Sequence, residues 1–121
     1  MILADTSVWV DHLRRRDAAL AKLLEAGEVL GHPFVVGELA LGHLEPRSLV
    51  LRDLLDLPQS TVATDHEVLH VINERRLFGH GIGYVDAHLI AATRLTEGAA
   101  LWTRDRHLHR LAERLKIAAS M

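Results

Sequence analysis

Short apolar runs alternate along this chain with stretches of helical periodicity. "MILA" at the N-terminus is apolar but too short for a helix, and reads as a buried strand. Asp5-Thr6-Ser7 follows with capping chemistry, and a helix from Val8 to Arg15 fits. A second helix is predicted over 17–26, closed by Gly27. "EVLGHPFV" reads as a short strand ending near His32-Pro33. Helices from Phe34 to Leu44 and from Arg47 to Leu57 come next, the second stopped by Pro58. "STVAT" is a weak strand, and Asp65 is predicted to cap the helix "DHEVLHVINE". "GHGIG", residues 79–83, is a loop. "YVDAHLIAATRLTE" is a strong helix ended by Gly98, "AALWT" a strand, "RDRHLHRLAERL" a helix, and "KIAA" offers a last strand. Short apolar strands alternating with helices imply a parallel sheet wrapped on both sides. The expected fold is therefore a three-layer α/β/α sandwich with a central, mostly parallel sheet of four or five strands. No repeat or linker interrupts it, so residues 1–121 read as a single domain.

Composition narrows this picture. Hydrophobic residues make up 49% of the chain but aromatics only 4%, so the core must be aliphatic. There is no cysteine, which excludes disulfides, thiolate metal sites and cysteine nucleophiles. The opening Met-Ile-Leu-Ala-Asp has no basic stretch before it and is not expected to act as a secretion signal. No apolar run approaches the ~18 residues that cross a membrane, so a cytoplasmic protein is expected. The formal charge of -2 argues against attachment to nucleic acid by bulk charge, but not against a local grip on a few phosphates. Arginines do cluster, at 14–16, at 75 and 76, and at 104, 106, 110 and 114.

Two motifs invite chemistry and fail on context. His66-Glu67-Val68-Leu69-His70 spells H-E-x-x-H, the pattern of zinc peptidases. On a helical wheel His66, His70 and Asn73 share one face with Glu67 and Glu74 beside it, while Val68, Leu69 and Ile72 lie opposite. The histidine pair therefore points away from the core, and no third ligand has independent support. A zinc metallopeptidase using His66, Glu67 and His70 is thus the weaker rival. "GHGIG" hints at a phosphate loop, but follows a helix rather than a strand. It reads as a flexible entry into the next helix, with a bearing on substrate entry as a secondary idea. The other histidines, His12, His32, His43, His80, His88, His107 and His109, are read as surface or partner-contact residues.

Four acids stand in less expected places. Asp5 and Asp105 follow predicted strands, and the carboxyl ends of parallel strands are where α/β sheets bind ligands. Either could simply be an N-cap. Asp86 lies in a helix whose apolar positions, from Val85 to Leu95, spread almost all the way round, and such helices are buried. Glu38 stands among Phe34, Val35, Val36, Leu39, Ala40 and Leu41 with no basic residue within a turn. Buried carboxylates need a partner. With no local Lys or Arg, a hard divalent cation such as Mg²⁺ or Mn²⁺ fits. A carboxylate-bound metal with open water positions suits phosphodiester hydrolysis.

These residues resemble a family, the PIN-domain ribonucleases, and specifically VapC-type toxins of toxin–antitoxin pairs. The matching stretches are "ILADTSVWVDHLR", "VVGELALG", "YVDAHLIAA" and "LWTRDRHL", in the family's order across nearly the whole chain. The resemblance implies a catalytic, metal-binding set of Asp5, Glu38, Asp86 and Asp105. Asp5 and Asp86 are its principal ligands, and Ser7 and Thr103 are supporting hydroxyls. It implies Mg²⁺- or Mn²⁺-dependent cleavage of structured RNA (tRNA or rRNA), a homodimer, and a small VapB-type antitoxin that blocks the site. Arg104 and Arg106 flank Asp105 and would either meet RNA phosphate or lie solvated. The remaining alternative is a PIN fold without catalysis, serving as an RNA- or protein-binding module.

Overall fold

A computed structural model describes residues 1–120. Strand β1 (Ile2–Ala4) leads into helices α1 (Thr6–Arg14) and α2 (Ala18–Glu25). Strand β2 (Val29–Leu30) follows, then α3 (Pro33–Ala40), α4 (Arg47–Leu55), α5 (Asp65–Glu74) and α6 (Tyr84–Leu95). Strand β3 (Ala100–Trp102) and α7 (Arg106–Arg114) close the described chain. The three strands form one parallel sheet in the order β2-β1-β3, with Leu3 level with Leu30 on one side and Leu101 on the other. Neighbouring residues of a strand point to opposite faces. Leu3 and Ala4 are both fully buried, and so are Val29 and Leu30, so both faces of the sheet are covered. That is the signature of a three-layer α/β sandwich. The core around the sheet is aliphatic, as the composition requires: Leu3, Val8, Leu20, Leu89, Ile90, Leu101 and Leu108 dominate it.

The sheet is smaller than the expected four or five strands. The stretch expected to be a fourth strand, 60–64, forms none; a single bridge, Gly31–Gln59, lies just before it, and the expected last strand pairs only at Leu101–Ala118. The backbone of 61–64 is claimed elsewhere: Thr61 N–H donates to Thr96 Oγ1 (2.9 Å), and Thr64 caps α5. Gly31 fits its bridge closely: a Cβ there would lie 2.5 Å from the end of the Gln59 side chain, which would have to move aside.

Helix α5 also departs from expectation. Its N-cap is Thr64, not Asp65, because Thr64 and Glu67 form a reciprocal capping box at 3.1 and 2.8 Å. Asp65 is thereby free to reach across to α6. The inward stripe is Val68, Val71 and Ile72, at i, i+3 and i+4. Leu69 lies 100° round from Val68 and is 54% exposed rather than in the core. Helix α6 is buried without interruption from Ala87 to Thr93, and Thr93 Oγ1 satisfies itself on Leu89 O (2.8 Å).

Two histidines expected at the surface are interior. His32 is fully buried at the end of β2, where its Nδ1 accepts the Phe34 N–H (3.0 Å) and caps α3. His88 is buried against Phe34 (ring centroids 4.5 Å), and its Nε2 contacts Asp65 Oδ1 at 3.1 Å. Burial, helped by the charge of His88, lowers the His32 imidazole to about 4. His32 therefore stays neutral in the fold and titrates near 6.5 when unfolded. The unfolded chain takes up the proton first, so stability present above pH 6.5 is lost as pH falls toward 4. In His32→Asn, which keeps a capping acceptor, the loss of stability between pH 6.5 and 4 should shrink by on the order of 3 kcal/mol. Urea unfolding at a series of pH values measures this; parallel curves for both proteins would refute it.

Candidate active site

Asp5 ends β1 and caps α1. Its backbone N–H donates to Trp102 O (3.0 Å), tying the ends of β1 and β3 together. Its side chain is buried and saturated at one oxygen: Oδ1 accepts Ser7 Oγ–H (2.5 Å) and Val8 N–H (3.3 Å). Oδ2 accepts Thr103 Oγ1–H (2.5 Å). Both hydroxyls are aimed by the β3–α7 connection: Arg104 N–H donates to Ser7 Oγ (3.0 Å) and Asp105 N–H to Thr103 Oγ1 (3.0 Å). A carboxylate offers about four lone-pair sites, so three are taken and one on Oδ2 is left.

Asp86 stands in the first turn of α6, half-buried, with Oδ2 accepting Gly83 N–H (3.2 Å). Asp105 caps α7 through Oδ1 and Leu108 N–H (2.9 Å). Glu38, expected on a buried helix, is exposed; Thr6 Oγ1–H donates to its Oε1 at 2.5 Å. That bond joins α1 to α3 and had no signal in the local sequence, since its partners lie 32 residues apart. Each of the four carboxylates is thus held by a donor of the chain and retains accepting capacity, Asp5 through one lone pair on Oδ2. Among the described residues no Lys or Arg forms an ion pair with any of them.

Asp86 senses the other three acids. Asp86 is raised above the ordinary carboxylate range, first by burial and then by the negative charges of Asp5, Asp105 and Glu38. Asp5 is raised by burial despite the hydrogen bonds that oppose it. Uncompensated negative charge with free lone pairs fits a hard cation. Among the described residues no three acidic or imidazole side chains form a ready metal cage. Two carboxylates completed by water are the arrangement Mg²⁺ favours, and Asp5 and Asp86 are the inner pair with oxygen to spare.

A family model, the PIN domain, matches residues 2–114. The chain belongs to the PIN domain family. A protein named Ribonuclease VapC32, from two strains of Mycobacterium tuberculosis, is 51% identical over 108 residues, which cover 89% of this chain and 87% of the relative. On this PIN domain the H-E-x-x-H residues are spent on local structure: Glu67 closes the capping box and His70 pairs with Glu74 (3.2 Å). Arg104, expected at phosphate or in solvent, is exposed but engaged by two carboxylates. It pairs with Asp11 (3.2 Å) and Asp17 (2.5 Å) and lies 5.6 Å from the Trp102 ring centroid. Arg106 is exposed. The glycine loop adopts positive φ at Gly79 and Gly81, and a Cβ on Gly81 would touch the His107 ring at 3.5 Å. The loop N–H of Gly83 points at Asp86, an anion of the protein itself, which leaves the phosphate-loop reading without support.

Raised acids carry a stability consequence. A carboxyl whose folded pKa exceeds its unfolded value stabilises the fold when protonated, below the unfolded pKa near 3.8, and that contribution disappears as pH rises through the folded pKa. At neutral pH the Asp86 charge therefore opposes folding. Asp86→Asn should raise the melting temperature in chelator at pH 7 by a few degrees, and Mg²⁺ should stabilise the parent more than the variant. Differential scanning fluorimetry tests both; a lower melting temperature with an unchanged Mg²⁺ response would refute the assignment.

Proposed function

We propose that this chain is a metal-dependent endoribonuclease toxin of the VapC type, cleaving structured cellular RNA such as tRNA or rRNA. The observation that carries the reading is Asp86, raised by burial and by the charges of Asp5, Asp105 and Glu38, with no ion-paired Lys or Arg on any of the four among the described residues, on a PIN domain half identical to a ribonuclease. Asp5 and Asp86 are the principal ligands for Mg²⁺ or Mn²⁺, with Glu38 and Asp105 completing the set. Bound there, the metal would lower the pKa of a water and neutralise charge on the scissile phosphate.

The chain's own residues do the positioning. Ser7 and Thr103 fix the Asp5 carboxyl from both sides, so its remaining lone pair has one direction. Asp86 is oriented by Gly83, and Glu38 by Thr6. Glu38 and Asp105 are exposed, so their free oxygens meet substrate and water at the rim. Arg106, beside Asp105, is the flanking cation left to meet RNA phosphate. A VapB-type antitoxin that blocks the acids, a homodimer and a cytoplasmic setting complete the proposal. The single-domain extent, residues 1–121, agrees with a family match that runs from residue 2 to residue 114. No helix among the described residues is long and apolar enough to cross a membrane.

The deciding experiment is cleavage of total RNA with Mg²⁺, Mn²⁺ or chelator. Asp5→Ala and Asp86→Ala should each lower the rate by at least about 100-fold, in the range of lost electrostatic stabilisation, and chelator should stop the parent. Full activity in either variant would defeat the assignment. His66→Ala combined with His70→Ala should cleave like the parent; loss of activity together with bound zinc would favour the peptidase-like site. A parent protein that binds RNA without cleaving it would point to the non-catalytic module.

A further inference from the structure

This chain has five aromatic residues of the Phe, Tyr and Trp kinds, and places two of them in the open around the glycine loop that leads into α6. Phe78 is 60% exposed and Tyr84 47% exposed. They stand at either end of the glycine loop and together line a groove of about 200 Å³, with Ile72, Leu77, Ile82, Gly83 and Ala87 as its other walls. Small-molecule sites usually start at about 300 Å³, so this groove suits one ring rather than a whole ligand. It adjoins the start of the helix that carries Asp86, because Gly83 lines the groove and its N–H donates to Asp86. The Tyr84 ring is preorganised: its hydroxyl donates to Asp65 (2.6 Å), and it packs T-shaped on the buried His88 at 4.8 Å.

Cations precede this platform along the chain. Arg75 and Arg76 precede Leu77-Phe78 and are exposed, and the Arg114 guanidinium donates to the carbonyl oxygens of both. Among the described residues none of the three pairs with a carboxylate. Exposed aromatic rings with unneutralised arginines are the combination that holds single-stranded nucleic acid: rings stack bases and guanidinium groups take phosphates.

We propose that Phe78 and Tyr84 form a stacking subsite for one unpaired nucleobase of the RNA substrate, with Arg75, Arg76 and Arg114 gripping its flanking phosphates. This rests on the nuclease reading and adds to it a structural requirement: a nucleotide near the cut must be unstacked from its neighbours. The subsite would select loops over helices without reading their sequence, since every base has a face to stack.

The test uses the full chain and an eight-nucleotide single-stranded RNA, with binding measured in chelator and cleavage in Mg²⁺. Phe78→Ala should weaken binding roughly 5- to 100-fold, the range for one lost base stack. Phe78→Trp should restore most of it, and the loss in cleavage should fall mainly on KM. An RNA carrying a single abasic residue at the contacted position should bind parent and Phe78→Ala alike. Replacing Arg75 and Arg76 together by Ala should flatten the salt dependence of binding. An unchanged Kd in Phe78→Ala overturns the subsite, and so does a weakening that tracks a changed oligomeric state by light scattering, which would make Phe78 a protein contact. Phe78-dependent binding by a parent that cleaves neither this oligonucleotide nor total RNA would support the subsite while refuting the nuclease reading. Absence of RNA binding by the parent would overturn the subsite.

Discussion

The buried carboxylate of Asp5 sets the terms for everything around it. A charge removed from water must be compensated, and here compensation comes from hydroxyls and amides rather than from a cation. Those donors belong to distant parts of the chain: Ser7 and Val8 to α1, Thr103 to the end of β3. Satisfying one acid therefore fixes how β1, α1 and the β3–α7 connection meet. The same connection carries Asp105, whose N–H closes the chain of donors through Thr103. The geometry of the site is in this sense a by-product of hydrogen-bond completeness in the core.

Three of the four acids stand at helix N-termini: Asp5 and Asp105 as N-caps, and Asp86 in the first turn of α6. Capping and function need not compete as explanations. The amides of a first turn hold one carboxylate oxygen, and the positive end of the helix dipole offsets the charge without neutralising it. A lysine in the same position would hold the acid equally well and consume its affinity for an outside cation. Glu38 is the informative exception. It sits near the C-terminal end of α3, where the dipole disfavours an anion, and a side chain from another helix, Thr6, holds it instead.

Much of this was legible in the sequence, for a definite reason. Asp86 stands out because its neighbours on α6 are apolar all round, and the alternation of short strands with helices indicated a covered parallel sheet. The resemblance of four motifs to a known family supplied the grouping of the acids, which periodicity alone could not. What escaped was tertiary. His88 looks like any surface histidine until Phe34 and Asp65 are brought to it across the fold, and His32 until the fold buries it. Glu38 looked buried because its neighbours in sequence are apolar, yet its own azimuth on α3 faces solvent. The missing strands failed on the same ground: whether residues 60–64 pair with β2 depends on Thr96, far along the chain, competing for the Thr61 amide.

Arg104 shows how the charge balance near the acids is kept. It is adjacent in sequence to Thr103 and Asp105 and could have turned inward to neutralise them. Asp11 on α1 and Asp17 at the start of α2 draw its guanidinium the other way, and the Trp102 ring supports it there. Asp17 gains as well: the Leu20 amide, followed by Arg104, holds its carboxyl below the usual range. The backbone of Arg104 still serves the site through Ser7 while its charge is committed outside it. One residue thus braces the donors of Asp5 and withholds the nearest positive charge from the cluster. Each ion pair is partly exposed and contributes little stability; their larger effect is to leave the field of the four acids open to a cation from solution.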